Sequence, residues 1–207
     1  MKSNFSESLL STAYLPPVEY MSVIFRSEKV EIEQCENYQK QSYRSRCHIY
    51  SANGPLPLII PVERAETHSV PVRDIRIDNS RKWQQQHWRA IVSAYRMSPF
   101  FEYYEDDFAP FYTKEESFLF DFNTKLTELL LNLSGVRKSL YFTDTYKKDP
   151  GPGVSDFRES IHPKKESLTE MKNGQYHQVF AHKSGFIPNL SSLDLLFNEG
   201  PDSISYL

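Results

Sequence analysis

The sequence predicts an α/β fold: a mostly parallel sheet begun by a βαβ unit, with an inserted antiparallel hairpin and flanking helices. Three observations carry this. An apolar run, Leu9-Leu10-Ser11-Thr12-Ala13, is followed by two prolines, a helical stretch and a second apolar run at Val30. Asn53-Gly54 lies between two further apolar runs, a strong hairpin signal. Residues 118–133 form an amphipathic helix that leads straight into Leu140-Tyr141-Phe142. A chain of 207 residues can bury one sizeable core, and residues 1–207 read as a single domain.

In chain order, residues 8–13 read as a strand stopped by Tyr14-Leu15-Pro16-Pro17. Pro17 suits a first helical position, where its missing N–H would be unpaired anyway. Val18, Met21, Ile24 and Phe25 then share one helical face, and Val30-Glu31-Ile32 starts the next strand. A strand, helix and strand in this order should be parallel, and ligands favour the crevice at the strands' carboxyl ends, where helix N-termini attract anions. Residues 47–50 and 56–62 flank the Asn-Gly turn, 63–69 read as a polar loop, and 73–78 alternate as a strand.

Asn79-Ser80 can cap a helix over 82–97, stopped by Ser98-Pro99. The acidic, ring-rich segment 100–108 reads as a solvated turn over buried rings. After the helix at 118–133, residues 138–143 form a third parallel strand. Asp149-Pro150-Gly151-Pro152-Gly153 is a loop that, through residue 165, is a lid or an ordinary connection. Residues 176–180 read as a short strand. A last helix follows, capped by Asn189 or Ser191, with Leu193, Leu196 and Phe197 facing inward.

Composition narrows the function. A net charge of −3, pI ≈ 6.1 and no long basic run argue against nucleic acid as a partner. No apolar run reaches the ~18 residues of a membrane span and no export signal opens the chain, so a cytoplasmic protein is expected. Cys35 and Cys47, even with His48 adjacent, lack metal-ligand spacing, so no metal is expected and no cofactor is named.

The chemistry concentrates between residues 30 and 49. Glu33, Glu36, Lys40, Arg44 and Arg46 crowd one connection, costly unless they pair or hold a ligand. Lys40, Arg44 and Arg46 can clamp phosphate or carboxylate, while Glu33 and Glu36 can orient an amine or act as general base. His87, on the apolar face of its helix, is a further acid–base candidate, although a hydrogen-bonded core histidine is the commoner role there. Tyr14, Gln178, Asn189 and Asp194 are candidates to line the same crevice. Asp194 also has a purely structural explanation in the first turn of a helix. The expected partner is a small anionic donor or nucleotide-activated precursor, and a homo-oligomer is left open. A scaffold without chemistry is the alternative, since no nucleophile triad or phosphate loop is present.

Several motifs add a resemblance. They are Tyr14-Leu-Pro-Pro-Val-Glu-Tyr20, Glu36-x-Tyr38-x-Lys40-Gln-Ser-Tyr-Arg44-x-Arg46-Cys47, Pro61-Val62, Trp83-x-x-x-His87-Trp88 and Ser93-Ala-Tyr95. Ser98-Pro-Phe-Phe101, Tyr176-x-Gln178-x-Phe180, and Gly185-Phe-Ile-Pro-Asn-Leu-Ser191 through Asp194-Leu-Leu-Phe-Asn198-x-Gly200 continue them. Together they make the chain similar to the WbqC-like family of bacterial proteins, in the form common in Bacteroidetes. The resemblance implies a cytoplasmic, enzyme-like protein near activated sugars or amino acids. Specifically, it implies a transferase of glycine- or aminoacyl-transfer type in O-antigen or other surface-polysaccharide biosynthesis. Many members carry His-Gln-Pro ahead of the Tyr-x-Pro motif; here Leu10-Ser11-Thr12-Ala13 precede Tyr14, so a histidine base at that place is missing.

Overall fold

A computed structural model of the chain describes residues 5–63, 69–168 and 174–207. In chain order its elements are β1 (Phe5–Ser11), α1 (Val18–Arg26), β2 (Ser27–Glu33), β3 (Arg46–Ser51), β4 (Gly54–Ile59), α2 (Trp83–Tyr95), α3 (Phe101–Phe108) and α4 (Leu119–Leu133). Then come β5 (Leu140–Phe142), β6 (Val154–Asp156), α5 (Ala181–Ser184), α6 (Ser192–Glu199) and a closing 3-10 stretch, Gly200–Tyr206. The main sheet has strand order β5-β2-β1-β6 and is parallel throughout, while β3 and β4 form a separate antiparallel hairpin. The fold is therefore the mixed α/β arrangement that the βαβ pattern and the Asn-Gly turn predict.

Burial explains the topology. Ser8 to Ser11 of the central strand β1 are buried without alternation, as a strand covered on both faces must be. α1 is buried from Val18 to Ile24, and at its far end Ser27 Oγ donates to Val23 O while sharing a 2.7 Å bond with Ser8 Oγ. α2 and α4 supply the other wall. There Trp83, Ile91, Phe122, Leu126 and Leu130 pack with Ile49 and Leu58 of the hairpin into one core, with His87 edge-on against Trp83.

The entry to α1 has an unexpected partner. Pro17 has no side-chain cap to offer, and the chain's C-terminal segment supplies one instead. Val18 N donates to Leu190 O at 3.0 Å, Glu19 N donates to Asn189 Oδ1 at 3.0 Å, and Pro17 bridges to Ser191. Tyr20 N and Met21 N turn back to Pro17 O, so the four N–H groups that open the helix are all satisfied. A helix N-terminus so covered offers no anion site. Ser191 caps α6 in the ordinary way, accepting from Leu193 N at 3.2 Å.

Four local expectations are corrected. Residues 73–78 are not a strand: Val72–Asp74 is a 3-10 turn, followed by isolated bridges from Ile77 to Val62 and from Arg76 to Phe118. Ile75 and Ile77 are buried as the alternation requires, but no neighbouring strand runs alongside to extend those bridges. Residues 101–108 are helix, not turn, because Phe101 and Phe108 lie two turns apart and both pack edge-on against Phe197, leaving the acids outside. Residues 176–180 form no ladder, since the side chains of Tyr176 and Gln178 are held by Asp194 instead. β6 is a three-residue strand directly after the Gly-Pro-Gly turn, too short to show a period. Most of the expected polar loop at 63–69 lies outside the described residues.

Asn189 sits at φ +54°, a conformation asparagine tolerates better than most residues, while its amide caps α1. Asn189→Ala should therefore lower stability by about 1–2 kcal/mol in chemical denaturation, through the lost cap and the left-handed backbone together. A change of a few tenths would mean that α1 does not depend on this long-range cap.

Candidate functional site

In spatial order the sheet reads as its third, second, first and fourth strands, so the order in which the chain adds strands reverses between β1 and β6, although all four run parallel. In an open parallel sheet, the crevice outside the carboxyl ends at such a reversal is where ligands bind. The residues delivered there follow from the register. Ser11 of β1 lies opposite Glu33 of β2. Thr143 follows the Ile32–Phe142 pair on one side, and Arg158 lies two residues beyond the Leu9–Asp156 pair on the other. Thr143, Glu33, Ser11 and Arg158 thus form a polar row across the carboxyl edge.

Glu33 is fully buried and holds the row together. It accepts from Thr143 Oγ1 at 2.6 Å, Cys35 N at 2.8 Å, Lys147 N at 3.0 Å and Arg158 Nη1 at 3.5 Å. Arg158 forks onto Asp156, with Nε to Oδ1 at 3.0 Å and Nη2 to Oδ2 at 2.7 Å, and its Nη1 donates to Lys147 O. Burial pushes the Asp156 carboxyl up, but these hydrogen bonds outweigh it and hold it below the ordinary carboxylate range. Tyr146 covers the guanidinium with its ring, 5.4 Å from the centroid.

The second buried arginine comes from the connection after β2. Arg44 forks onto Glu36, Nε to Oε1 at 2.8 Å and Nη2 to Oε2 at 2.6 Å, and Nη2 also reaches Ser11 Oγ at 2.8 Å. Both partners are buried, and Asn123 of α4 fixes the turn by donating to Arg44 O at 2.8 Å. Between Arg44 and Arg158 lies a crevice lined also by Ser11, Thr12, Tyr20 and Tyr43. Only about 10 Å³ is open there, with Phe157 and Ile161 closing the space beside Arg158, and residues 159–165 form a cover at its rim. That cover is tied to the turn opposite by Lys164 to Gln41 and by Gln39 to Glu159, while Lys165 Nζ folds back within it onto Glu159 O at 2.7 Å.

The remaining candidates lie elsewhere. Lys40 is exposed on the turn, and Arg46 opens β3 with a buried Nε that has no hydrogen-bond partner among the described residues. Tyr14 and His87 meet in the helical core. The Tyr14 hydroxyl is 2.9 Å from both His87 Nδ1 and Tyr112 Oη, while the histidine also bonds the Ile59 backbone. Burial lowers the His87 pKa to about 4, so the ring is neutral near pH 7. Gln178 and Asp194 form a third cluster. Asp194 Oδ2 accepts from Tyr176 Oη at 2.7 Å and from Gln178 Nε2 at 2.9 Å, and Gln178 also pairs with the Ile187 backbone. Asn189 caps α1. Of the ten candidates, Glu33, Glu36 and Arg44 lie at the carboxyl edge, Tyr14 and His87 in the helical core, Gln178, Asn189 and Asp194 in the C-terminal segment, and Lys40 and Arg46 apart from all three, so they do not line one pocket.

Thr143, Lys147, Asp156 and Arg158 complete the edge, and none of them stands out in the sequence as a site residue. Asp156-Phe157-Arg158 directly after the glycine turn is a signal for a short strand ending in an ion pair, but only once β6 is known to pair with β1. Among the described residues no group of three or more histidine, cysteine or acidic side chains is placed to hold a metal ion, and no helix is long and apolar enough to cross a membrane.

The model of the WbqC-like protein family matches residues 12–152. The chain belongs to the WbqC-like family. The matched span includes the Arg44–Glu36 turn and Thr143, and ends before β6 and Arg158. An uncharacterised protein of Mycobacterium tuberculosis is 24% identical over 226 residues, covering 97% of this chain and 96% of that relative. No solved structure matches the chain.

Two outcomes follow from this geometry. Arg44→Ala leaves Glu36 buried without its cation and should cost about 3–5 kcal/mol, read by urea denaturation. Joint replacement of both residues by leucine and methionine should recover most of that loss; a wild-type melting point for Arg44→Ala alone would show that the pair does not hold the turn. The second concerns Asp194. Its pKa is raised to about 6, chiefly by burial, with the Tyr176 and Gln178 hydrogen bonds opposing. A carboxyl raised above its unfolded value disfavours folding once ionised, so that penalty, about 3 kcal/mol, is fully present above pH 6 and fades as pH falls toward 4. Asp194→Asn keeps an acceptor for both donors. The variant should be more stable than wild type at pH 8, with the difference shrinking by pH 4.5; a difference constant with pH would remove the assignment.

Proposed function

We propose that this chain is a transferase that takes a small anionic, activated donor in the crevice between β1 and β6. The donor is of the aminoacyl or nucleotide-activated kind, in the assembly of an O-antigen or other surface polysaccharide. The observation that supports this reading is the placing of two buried guanidinium groups, Arg44 and Arg158, on either side of the sheet's reversal point. Residues 159–165 must lift for a donor to enter, while Arg158 stays held by Asp156 and Glu33.

The chemistry uses the pairs already present. A phosphate or carboxylate of the donor displaces Glu36 from the fork of Arg44, exchanging one charge-assisted pair for another. Glu36, then freed of its cation, is positioned to accept a proton from an acceptor amine or hydroxyl. Glu33, held by its own donors, stays in place and keeps Arg158 oriented. His87 and Tyr14, in the helical core, take no step in this scheme.

A second reading, a scaffold within the same pathway, is favoured by one feature. Tyr141 and Phe142 on the edge strand β5, with Tyr146 just after it, are exposed rings beside an unpaired strand edge. A thermal-shift screen of nucleotide sugars, nucleotides, aminoacyl donors and free amino acids separates the two. The control is Lys164→Glu with Lys165→Glu, exposed residues on the rim of the cover. A donor that raises the melting temperature of wild type, and by at most half as much in this variant, is the expected result. No shift with any donor, from well-folded protein, would leave the scaffold as the better account.

A further inference from the structure

The cover over the crevice brings a carboxylate of its own. Glu159 stands at its start, where Oε1 accepts from the Gln39 amide Nε2 and lies 3.7 Å from Arg44 Nη2. The other end of the same amide, Gln39 Oε1, accepts from Arg44 Nη1 at 3.5 Å. Guanidinium and carboxamide thus face one anion position side by side, and Glu159 fills it. Lys164 to Gln41 is a second tie from the cover to this turn.

While the cover is down, every Arg44 nitrogen is engaged. Nε and Nη2 hold Glu36, Nη2 also reaches Ser11, and Nη1 reaches Gln39. Arg158 is likewise forked onto Asp156 and bonded to Glu33 and Lys147 O. A ligand anion therefore enters by exchange with a carboxylate already in place. Exposure decides which one leaves first. The side chain of Glu33 is 0% exposed, that of Glu36 6% and that of Asp156 36%, whereas Glu159 is 61% exposed and travels with the cover. Releasing a solvated carboxylate strands no buried charge, which releasing Glu36 at the outset would do.

We infer that Arg44 Nη2 and the Gln39 amide form the first anion position of the crevice, and that Glu159 is its built-in competitor. The cover stays closed while the Glu159 carboxylate is in place, and a ligand carboxylate or phosphate that takes the position releases it. Gln39 is then a binding residue, and displacement of Glu36 follows once the cover has lifted. The identity of the natural ligand rests on the donor reading, whereas the competition itself is measurable with acetate and inorganic phosphate.

Amide hydrogen exchange reads the cover, and chemical-shift titration with the two anions at constant ionic strength reads the position beneath it. Ile161 lines the crevice, is 7% exposed and donates its N–H to Phe157 O at 3.3 Å, so its amide reports lifting. Glu159→Gln keeps an acceptor for Gln39 Nε2 and removes only the charge. With no anion added it should speed exchange at Ile161 about three- to fivefold, the scale of an exposed ion pair, and it should tighten both anions by a similar factor. Phosphate should speed the same amide in wild type. Adding Gln39→Ala to Glu159→Gln should weaken anion binding again without moving the urea midpoint, since the Gln39 carbonyl keeps its bond from Ser42 Oγ. Equal anion affinity in wild type and Glu159→Gln, or an Ile161 amide that exchanges alike in both, would overturn the competition and leave the donor reading standing. Folded Glu159→Gln that binds neither anion, or binds them as well without Gln39, would overturn the anion position. Tighter anions in Glu159→Gln beside a donor screen that gives no shift would keep the position and remove the donor reading.

Discussion

Two guanidinium groups buried at one end of a parallel sheet must each find a carboxylate, and much of this molecule's architecture serves that requirement. Arg44 meets Glu36 and Arg158 meets Asp156, both through two parallel hydrogen bonds, while Glu33 and Ser11 tie the two forks to the strand ends. The backbone is fixed around them: Asn123 of α4 holds the Arg44 carbonyl, and Lys147, from the loop after β5, gives its N–H to Glu33 and its carbonyl to Arg158. Removing one member of such a pair costs far more than the pair contributes as a whole. The network therefore binds the loops to the sheet. It also stores two arginines where a ligand would compete for them.

The C-terminal segment plays a second unifying part. Residues 189–192 close the first turn of α1, and Tyr176 and Gln178 are drawn onto α6 by Asp194. The chain's last third is thus fastened to its first βαβ unit by polar contacts that bury a titratable carboxyl. Gly200, at φ +54°, lets the chain turn sharply after α6 with the Phe100 ring pressed against it, where any Cβ would fall within 2.5 Å of the ring. This closure leaves α1's N-terminus with nothing to offer an anion. What remains is the charge-lined crevice at the carboxyl edge of the sheet.

How legible the site is depends on how far each partner lies along the chain. Glu36 and Arg44 are eight residues apart, and their crowding in one connection shows in the sequence itself as charge that needs a partner. Glu33 meets Thr143 110 residues away, and Arg158 125 residues away, and nothing in a single sequence says that those loops converge. His87 and Tyr14 carry the right chemistry but sit among Trp83, Phe122 and Tyr112, where the same residue types serve packing.

The sequence by itself determined the local units: the βαβ opening, the Asn-Gly hairpin, the long amphipathic α4 and the capped last helix, because periodicity and turn chemistry act between near neighbours. It also concentrated charge in the connection after β2. Tertiary structure decided the rest. The alternating residues 73–78 became a turn with bridges for want of a strand alongside, and residues 101–108 became a helix because both end rings found Phe197. The three-residue β6 exists because β1 offers it an edge, and by pairing there it creates the reversal point and delivers Arg158 to it. A strand is stabilised by its neighbours and a buried charge by its counter-charge, and where those partners stand is a property of the folded chain alone.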